Sequence, residues 1–297
     1  MEQEHMSGPE RYAVFTADDL GRSALVNRAV MESHDRGVVR AASIMAGGEA
    51  FEEAVEAARA RPGLSVGLHL TLCDGRAVLR SSREAGLADA RGFCPGSPAR
   101  AGLVLWRGRR HLLGHLRAEV AAQFDRLQEA GINPTHVDGH HHLHMHPVVF
   151  PVLCSEAARR GVRWVRIARE PLLSVRQAEG WRGKGRFLAE GGVFSLLAMR
   201  ASRVAVRNGL MSADEVYGLA RSGRVTEEVL CGQLVRTRRP VVEFYAHPDT
   251  GGSGLVELRA LTSLRLRDAV GQAGLRLAGY RELAWEAAAR PVFWRKT

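Results

Sequence analysis

Eleven residues, His136-Val137-Asp138-Gly139-His140-His141-His142-Leu143-His144-Met145-His146, hold six of the chain's twelve histidines. Histidine is neither a strong helix former nor a strong strand former, so no local structural need gathers imidazoles this way. Neutral imidazole nitrogens beside a carboxylate are ligands for a divalent metal. In extended backbone, His136, Asp138, His140 and His142 share one face and His141 takes the other. The spacing therefore predicts a strand end that aims several donors at one point. Matching residues stand elsewhere: the acid pair Asp18-Asp19, His69 within Gly67-Leu68-His69-Leu70, and His247 after the apolar run Val241–Ala246. Taken singly, an acid pair is often a helix cap and a lone histidine often a core residue. Together with the His run they read as a metal site.

Alternating strands and helices must position these residues. Tyr12–Asp19 reads as a strand ending in two acids, and Ser23–Arg36 as a helix closed by Gly37. Strands are expected at Val38–Ala46, Leu64–Leu72, the His run, Val162–Ala168, Val241–Ala246 and Leu275–Tyr280. Helices are expected at Ala50–Arg61, His111–Gly131, Val149–Arg160, Thr226–Arg236 and Leu258–Ala273. About seven β-α units without a compositional break predict one α/β domain, an irregular TIM-like (β/α) barrel. It is expected to span residues 12–297 behind a flexible segment at 1–11, with basic-apolar insertions near 92–117 and 172–210. No GxGxxG follows the first strand, which removes the dinucleotide-binding reading. The ionisable residues fall at C-terminal strand ends, where such barrels carry out their chemistry.

The chain has 297 residues, 45% apolar and 25% charged, within the ordinary range of a globular protein. A net charge of +10 raises the question of nucleic acid, but arginines are scattered, lysine occurs only at 184 and 296, and aromatics make up 6%. No base-stacking pattern or nucleic-acid motif accompanies the charge, so no nucleic-acid partner is expected. Two segments do mix arginine with apolar residues: Arg100 to Arg117 around Trp106, and Trp181 to Arg207, where Arg200, Arg203 and Arg207 share a helical face. Their sharper reading is a patch for anionic lipid headgroups. Four scattered cysteines and the lack of a signal sequence or an apolar run of 18 residues predict a cytoplasmic protein, with peripheral contact at the inner membrane face. A homodimer is compatible with the sequence.

Thr16-Ala17-Asp18-Asp19-Leu20-Gly21, Gly67-Leu68-His69-Leu70 and His136-Val137-Asp138-Gly139-His140-His141-His142 resemble the three signature motifs of the YdjC-like carbohydrate deacetylases. Leu20 stands where that family usually has Phe. The resemblance implies a TIM-like barrel that removes N-acetyl groups from amino sugars with one divalent ion, Mg2+ or Zn2+. Carried over by position, Asp18 resembles the base, and Asp19, His69 and His140 resemble the metal ligands. Val165-Arg166-Ile167, Glu215-Val216-Tyr217-Gly218-Leu219 and Glu243-Phe244-Tyr245-Ala246-His247-Pro248 are similar to the hopanoid-associated (HpnK-type) branch. That likeness implies an N-acetylglucosaminyl group on a hopanoid lipid as substrate. The His-Val-Asp-Gly-His-His-His run is closer to the chitooligosaccharide-deacetylase version, which makes a soluble N-acetylglucosamine oligomer the alternative acceptor.

Hydrolysis of an unactivated acetamide also needs a proton donor for the leaving amine. His247, from a separate strand end, is the candidate, with His142 and His144 as competitors. Asp138 is expected to orient a ligating imidazole. A metal-dependent phosphoesterase could use the same residue types, but would call for a second metal and more carboxylates near the His run.

Overall fold

The computed structural model describes residues 10–170, 184–219 and 221–283, with side chains of 184–195 outside the description. The segment expected to be flexible at the N-terminus therefore lies almost wholly outside the described residues, as does the start of the second basic-apolar segment. Strands β1 (Tyr12–Leu20), β2 (Ala41–Ile44), β3 (Ser65–Leu70), β4 (His136–Gly139), β5 (Trp164–Val165), β6 (Glu215–Tyr217), β7 (Val241–Ala246) and β8 (Arg276–Leu277) make up one sheet among these residues. Every pairing is parallel, in the order β5-β4-β3-β2-β1-β7-β6. On one edge of β1 the first half pairs with β8 and the second half with β2. The sheet curls into a TIM-like barrel, and its two ends meet through the Trp164–Met211 bridge and the Val216 N–H donated to the Arg169 carbonyl.

Helices α1 (Ala24–Asp35), α2 (Phe51–Arg59), α3 (Ser81–Glu84), α4 (Pro98–Arg107), α5 (Leu113–Glu129), α6 (Val149–Arg159), α7 (Lys184–Arg207), α8 (Glu227–Leu234), α9 (Gly254–Leu261) and α10 (Leu264–Gln272) complete the described chain. The expected helix Leu258–Ala273 is in fact two, because Ser263 is extended at φ −69°, ψ 132° and its hydroxyl caps the next helix at Leu266 N–H. Between Leu72 and His111, where no helix or strand is expected from the sequence, α4 forms, started by Ser97 as cap and Pro98 in the first turn.

Period-two alternation sorts each strand between two environments. Ala13, Phe15 and Ala17 of β1, Val66 and Leu68 of β3, and Val242 and Phe244 of β7 join the apolar layer under the helices. The opposite positions point into the barrel. Near its base they are apolar and aromatic, with Tyr12, Val14, Trp164, Val241 and Tyr280 packed together. Higher up they turn polar: Thr16, Asp18, Ser43, His69, His136, Asp138, Arg166 and Glu243 are all buried. A buried polar interior survives only if its members satisfy one another, and this one is built around a single guanidinium. Gly67 makes room in it, since a Cβ there would lie 2.5 Å from the His136 ring.

Candidate metal centre and active site

Both acids at the end of β1 reach the site because the strand is bulged. Ala17 pairs with Ala42 but Leu20 with Ile44, so β1 carries one extra residue there. Asp19 takes φ 65°, a left-handed conformation that costs an L-residue roughly 1–2 kcal/mol and is tolerated best by Asn and Asp. The bulge undoes the alternation that would send adjacent side chains to opposite faces.

The His run departs from the expected strand. β4 stops at Gly139, and His140–Met145 form a tight 3-10 turn with His141 and His142 at φ 52° and 54°. The shared face of His136, Asp138, His140 and His142 is thereby dissolved beyond Asp138. His136 lies deep in the barrel, stacked on Tyr280 at 4.2 Å between ring centroids. His140 folds over the strand ends, and His141 turns to the surface beside Asp74. His142 Nε2 meets Tyr245 Oη at 2.8 Å, and His144 Nε2 meets the Arg166 carbonyl at 3.0 Å. His146 packs edge-on to Trp106.

Three residues from three strand ends converge. Asp19 Oδ1 lies 2.8 Å from His140 Nδ1 and 3.2 Å from His69 Nε2. All three side chains are buried, yet none of these atoms has an oriented hydrogen-bond partner among the described residues. Atoms placed so close without a donor–acceptor alignment aim at a common point rather than at one another, as ligand atoms do. Buried polar atoms without partners are otherwise costly, and one carboxylate with two imidazoles is a donor set for a divalent ion. Among the described residues two other groups of ligand-type atoms fall within 4.8 Å of one another, Asp18-His69-Asp138 and Asp74-His140-His141. In the first, Arg166 already engages both oxygens of Asp18; in the second, Asp74 and His141 are exposed.

Charge at this point is strongly organised. Burial would lower the pKa of His69, but Asp138, whose Oδ1 sits 2.8 Å from Nδ1, and then Asp19 outweigh it and hold the ring at about 10. A cation at Nε2 must displace a proton there, as metal binding to imidazole generally requires. Asp19 is held well below the usual carboxylate range: burial pushes it up, but His140 and His69 more than offset that. Burial drives His136 down to about 3 and His144 to about 4, so both remain neutral near pH 7.

Arg166 has no role in the sequence reading beyond its motif. Its guanidinium grips Asp18 through two parallel bonds of 2.6 and 2.8 Å and reaches Asp138 at 2.9 Å and Glu243 at 2.7 Å. Thr16 and Ser43 donate to Glu243 and Asp138, completing the layer. An arginine flanked by Val165 and Ile167 in an apolar run expected to be buried is the available signal, since such a charge is almost never fully buried unless paired. His247, partly exposed, places Nε2 3.8 Å from Asp18 Oδ2 and Nδ1 4.0 Å from Glu257 Oε2.

Residues 12–272 match the family described as YdjC-like protein. The chain belongs to the YdjC-like family. Over 161 residues it is 39% identical to a carbohydrate deacetylase of Geobacillus stearothermophilus, an alignment covering 54% of this chain and 62% of that protein. A chitooligosaccharide deacetylase of Salmonella typhimurium is 28% identical over 290 residues, covering 92% of this chain and all of its own length. The fold also matches the crystal structure of an Enterococcus faecalis protein named for cellobiose-phosphate cleavage, with TM-score 0.68, 23% identity, and 92% and 99% of the two chains covered. At that identity the structural likeness of this YdjC-like chain speaks to the barrel alone.

Proposed function

We propose that this chain is a metal-dependent carbohydrate deacetylase that hydrolyses the N-acetyl group of an N-acetylglucosamine-type sugar. The convergence of Asp19 Oδ1, His69 Nε2 and His140 Nδ1 beside a separately held Asp18 carries the reading. Asp19, His69 and His140 would hold one divalent ion, Mg2+ or Zn2+. Such an ion, when bound, supplies Lewis-acid polarisation of the acetyl carbonyl and lowers the pKa of water.

Arg166 fixes the Asp18 carboxylate in one orientation within the site, where it takes the proton from the attacking water as oxygen adds to the carbonyl carbon. As the C–N bond breaks, His247 gives a proton to the departing nitrogen; acetate and a free amine leave. Its Nε2, 3.8 Å from Asp18, is close enough to serve the same reacting group. Asp138 orients His69 through Nδ1 and so presents Nε2. His142, bonded to Tyr245, shapes the floor beside them. A phosphoesterase is the weaker reading, because Arg166 already engages the nearby carboxylates that a second metal would need.

The finer proposal is that the sugar is carried on a hopanoid lipid, with a soluble N-acetylglucosamine oligomer as the alternative. No helix among the described residues is long and apolar enough to cross a membrane. Both α4 and α7 pack against the His140–Met145 turn, so both flank the site. Leu103 and Trp106 of α4 are about half exposed, as is Met199 of α7, while Leu196 and Val206 are more so; Arg200, Arg203 and Arg207 share the exposed side of α7. Such a face suits an anionic membrane surface, where each Arg contributes about 1 kcal/mol. Changing Arg200 and Arg203 to Glu should lower binding to anionic liposomes by about tenfold or more. It should reduce acetate release from a lipid-linked substrate while leaving release from a soluble oligomer unchanged. Wild-type protein that ignores anionic liposomes and prefers the soluble oligomer would overturn the hopanoid assignment in favour of the alternative.

A further inference from the structure

An imidazole that ligates through one nitrogen carries its proton on the other, and the partner of that second nitrogen sets tautomer and ring orientation. For His69 the partner is Asp138. For His140, Nδ1 faces Asp19, and the buried Nε2 has no hydrogen-bond partner among the described residues. The carboxylate it faces is Asp74, with Oδ2 at 3.6 Å. That is beyond a direct hydrogen bond, but one bridging water or a small side-chain shift closes it.

Asp74 is itself held. Arg22 Nη2 lies 3.2 Å from Asp74 Oδ2, and Arg22 Nη1 lies 3.1 Å from Asp19 Oδ2, the oxygen that does not face the imidazoles. One guanidinium thus ties a candidate ligand on the β1 bulge to a carboxylate on the loop after β3. That loop is braced from behind by α5. Gln123 bonds both backbone groups of Thr71, and the buried Glu119 accepts from Val78 N–H, Leu79 N–H and Ser82 Oγ. Asp74 therefore stands on a fixed platform, although its own side chain is exposed.

We propose that Arg22 and Asp74 form a positioning pair for the metal centre, resting on the metal reading above. Arg22 occupies the outer oxygen of Asp19 so that Oδ1 alone is offered inward. Asp74 takes the proton-bearing Nε2 of His140 so that Nδ1 presents its lone pair. Removing either loosens a ligand without removing it.

Competition of Zn2+ between the protein and a chromophoric chelator tests this, using wild type, Asp74→Asn, Arg22→Gln, the double variant and His69→Ala. Loss of an outer partner typically weakens metal binding about 10–100-fold. Asp74→Asn should fall in that range, and the double variant should lose less than the two single effects combined, because both changes break one linkage. In Asp74→Asn the metal-free melting temperature should move by about 2 °C or less, since an exposed ion pair adds little to stability. In metal-free protein, nitrogen NMR should show the Nε2–H tautomer of His140 less populated in Asp74→Asn than in wild type. Wild-type affinity in Asp74→Asn would overturn the pair while leaving the metal centre intact. Wild-type protein that binds Zn2+ no better than His69→Ala would overturn both.

Discussion

Asp18→Asn should fold, keep its divalent ion, and release acetate roughly 10²–10⁴-fold more slowly than wild type, the usual loss on removing a general base. The substitution keeps size and one oxygen acceptor for Arg166. It also removes one of three carboxylates that share a single guanidinium, so the buried layer is left better balanced in charge. Asp19 and the two imidazoles are untouched, which separates loss of the base from loss of metal. Bound metal, melting temperature and turnover should be measured on the same preparation. Turnover near that of wild type would remove Asp18 from the mechanism.

Arg166→Met should be the most damaging single change to the fold. Truncating one partner of a buried ion pair costs about 3–5 kcal/mol, because the charges left behind have neither water nor counter-ion. Here Asp18, Asp138 and Glu243 would all be left. For a domain of this size the loss corresponds to roughly 10 °C in melting temperature. The sign with pH is specific. In wild type, burial would raise Asp138, but Arg166 and then His69 hold it well below the usual carboxylate range. Its contribution is present above the unfolded value and is lost only as pH falls through the folded one. Burial already lifts Glu243 above its ordinary value despite Arg166. Without Arg166 Glu243 rises further and Asp138 rises against His69 alone, so the variant gains stability on acidification and loses it as pH rises through the raised values. The deficit should be largest near neutral pH and narrow toward about pH 5, as followed by denaturant unfolding. A constant deficit across that range would contradict the ionic reading of the layer.

The fold was largely legible because apolar strands and amphipathic helices alternate in order, and the ionisable residues stood at strand ends. Strand-end position brings Asp18, Asp19, His69 and the His136–His142 run together, while the family resemblance is what singles out His140 among them. The His run was misread beyond Gly139, because the left-handed conformations of His141 and His142 have no signature in residue type. Strand alternation then assigned His136 and His142 to the same point, whereas one lies deep against Tyr280 and the other on Tyr245. Arg166, Glu243 and Ser43 were hidden differently. Ser43 and Glu243 sit at inward positions of apolar strands and Arg166 directly follows β5, and what each contacts depends on how the sheet curls. Asp74 belongs to a loop whose path is set by Glu119 and Gln123 on a helix more than forty residues later, a tertiary fact that periodicity does not carry.

The most direct test of the central reading is acetate release from an N-acetylglucosaminyl oligomer by purified protein, before chelation, after chelation, and after Mg2+ or Zn2+ is restored. Activity should be present, should vanish with the metal, and should return when the ion is added back; His69→Ala should not recover under the same addition. Acetate release that persists in the fully chelated protein, or that is equal in His69→Ala, would contradict a metal-dependent deacetylase built on Asp19, His69 and His140.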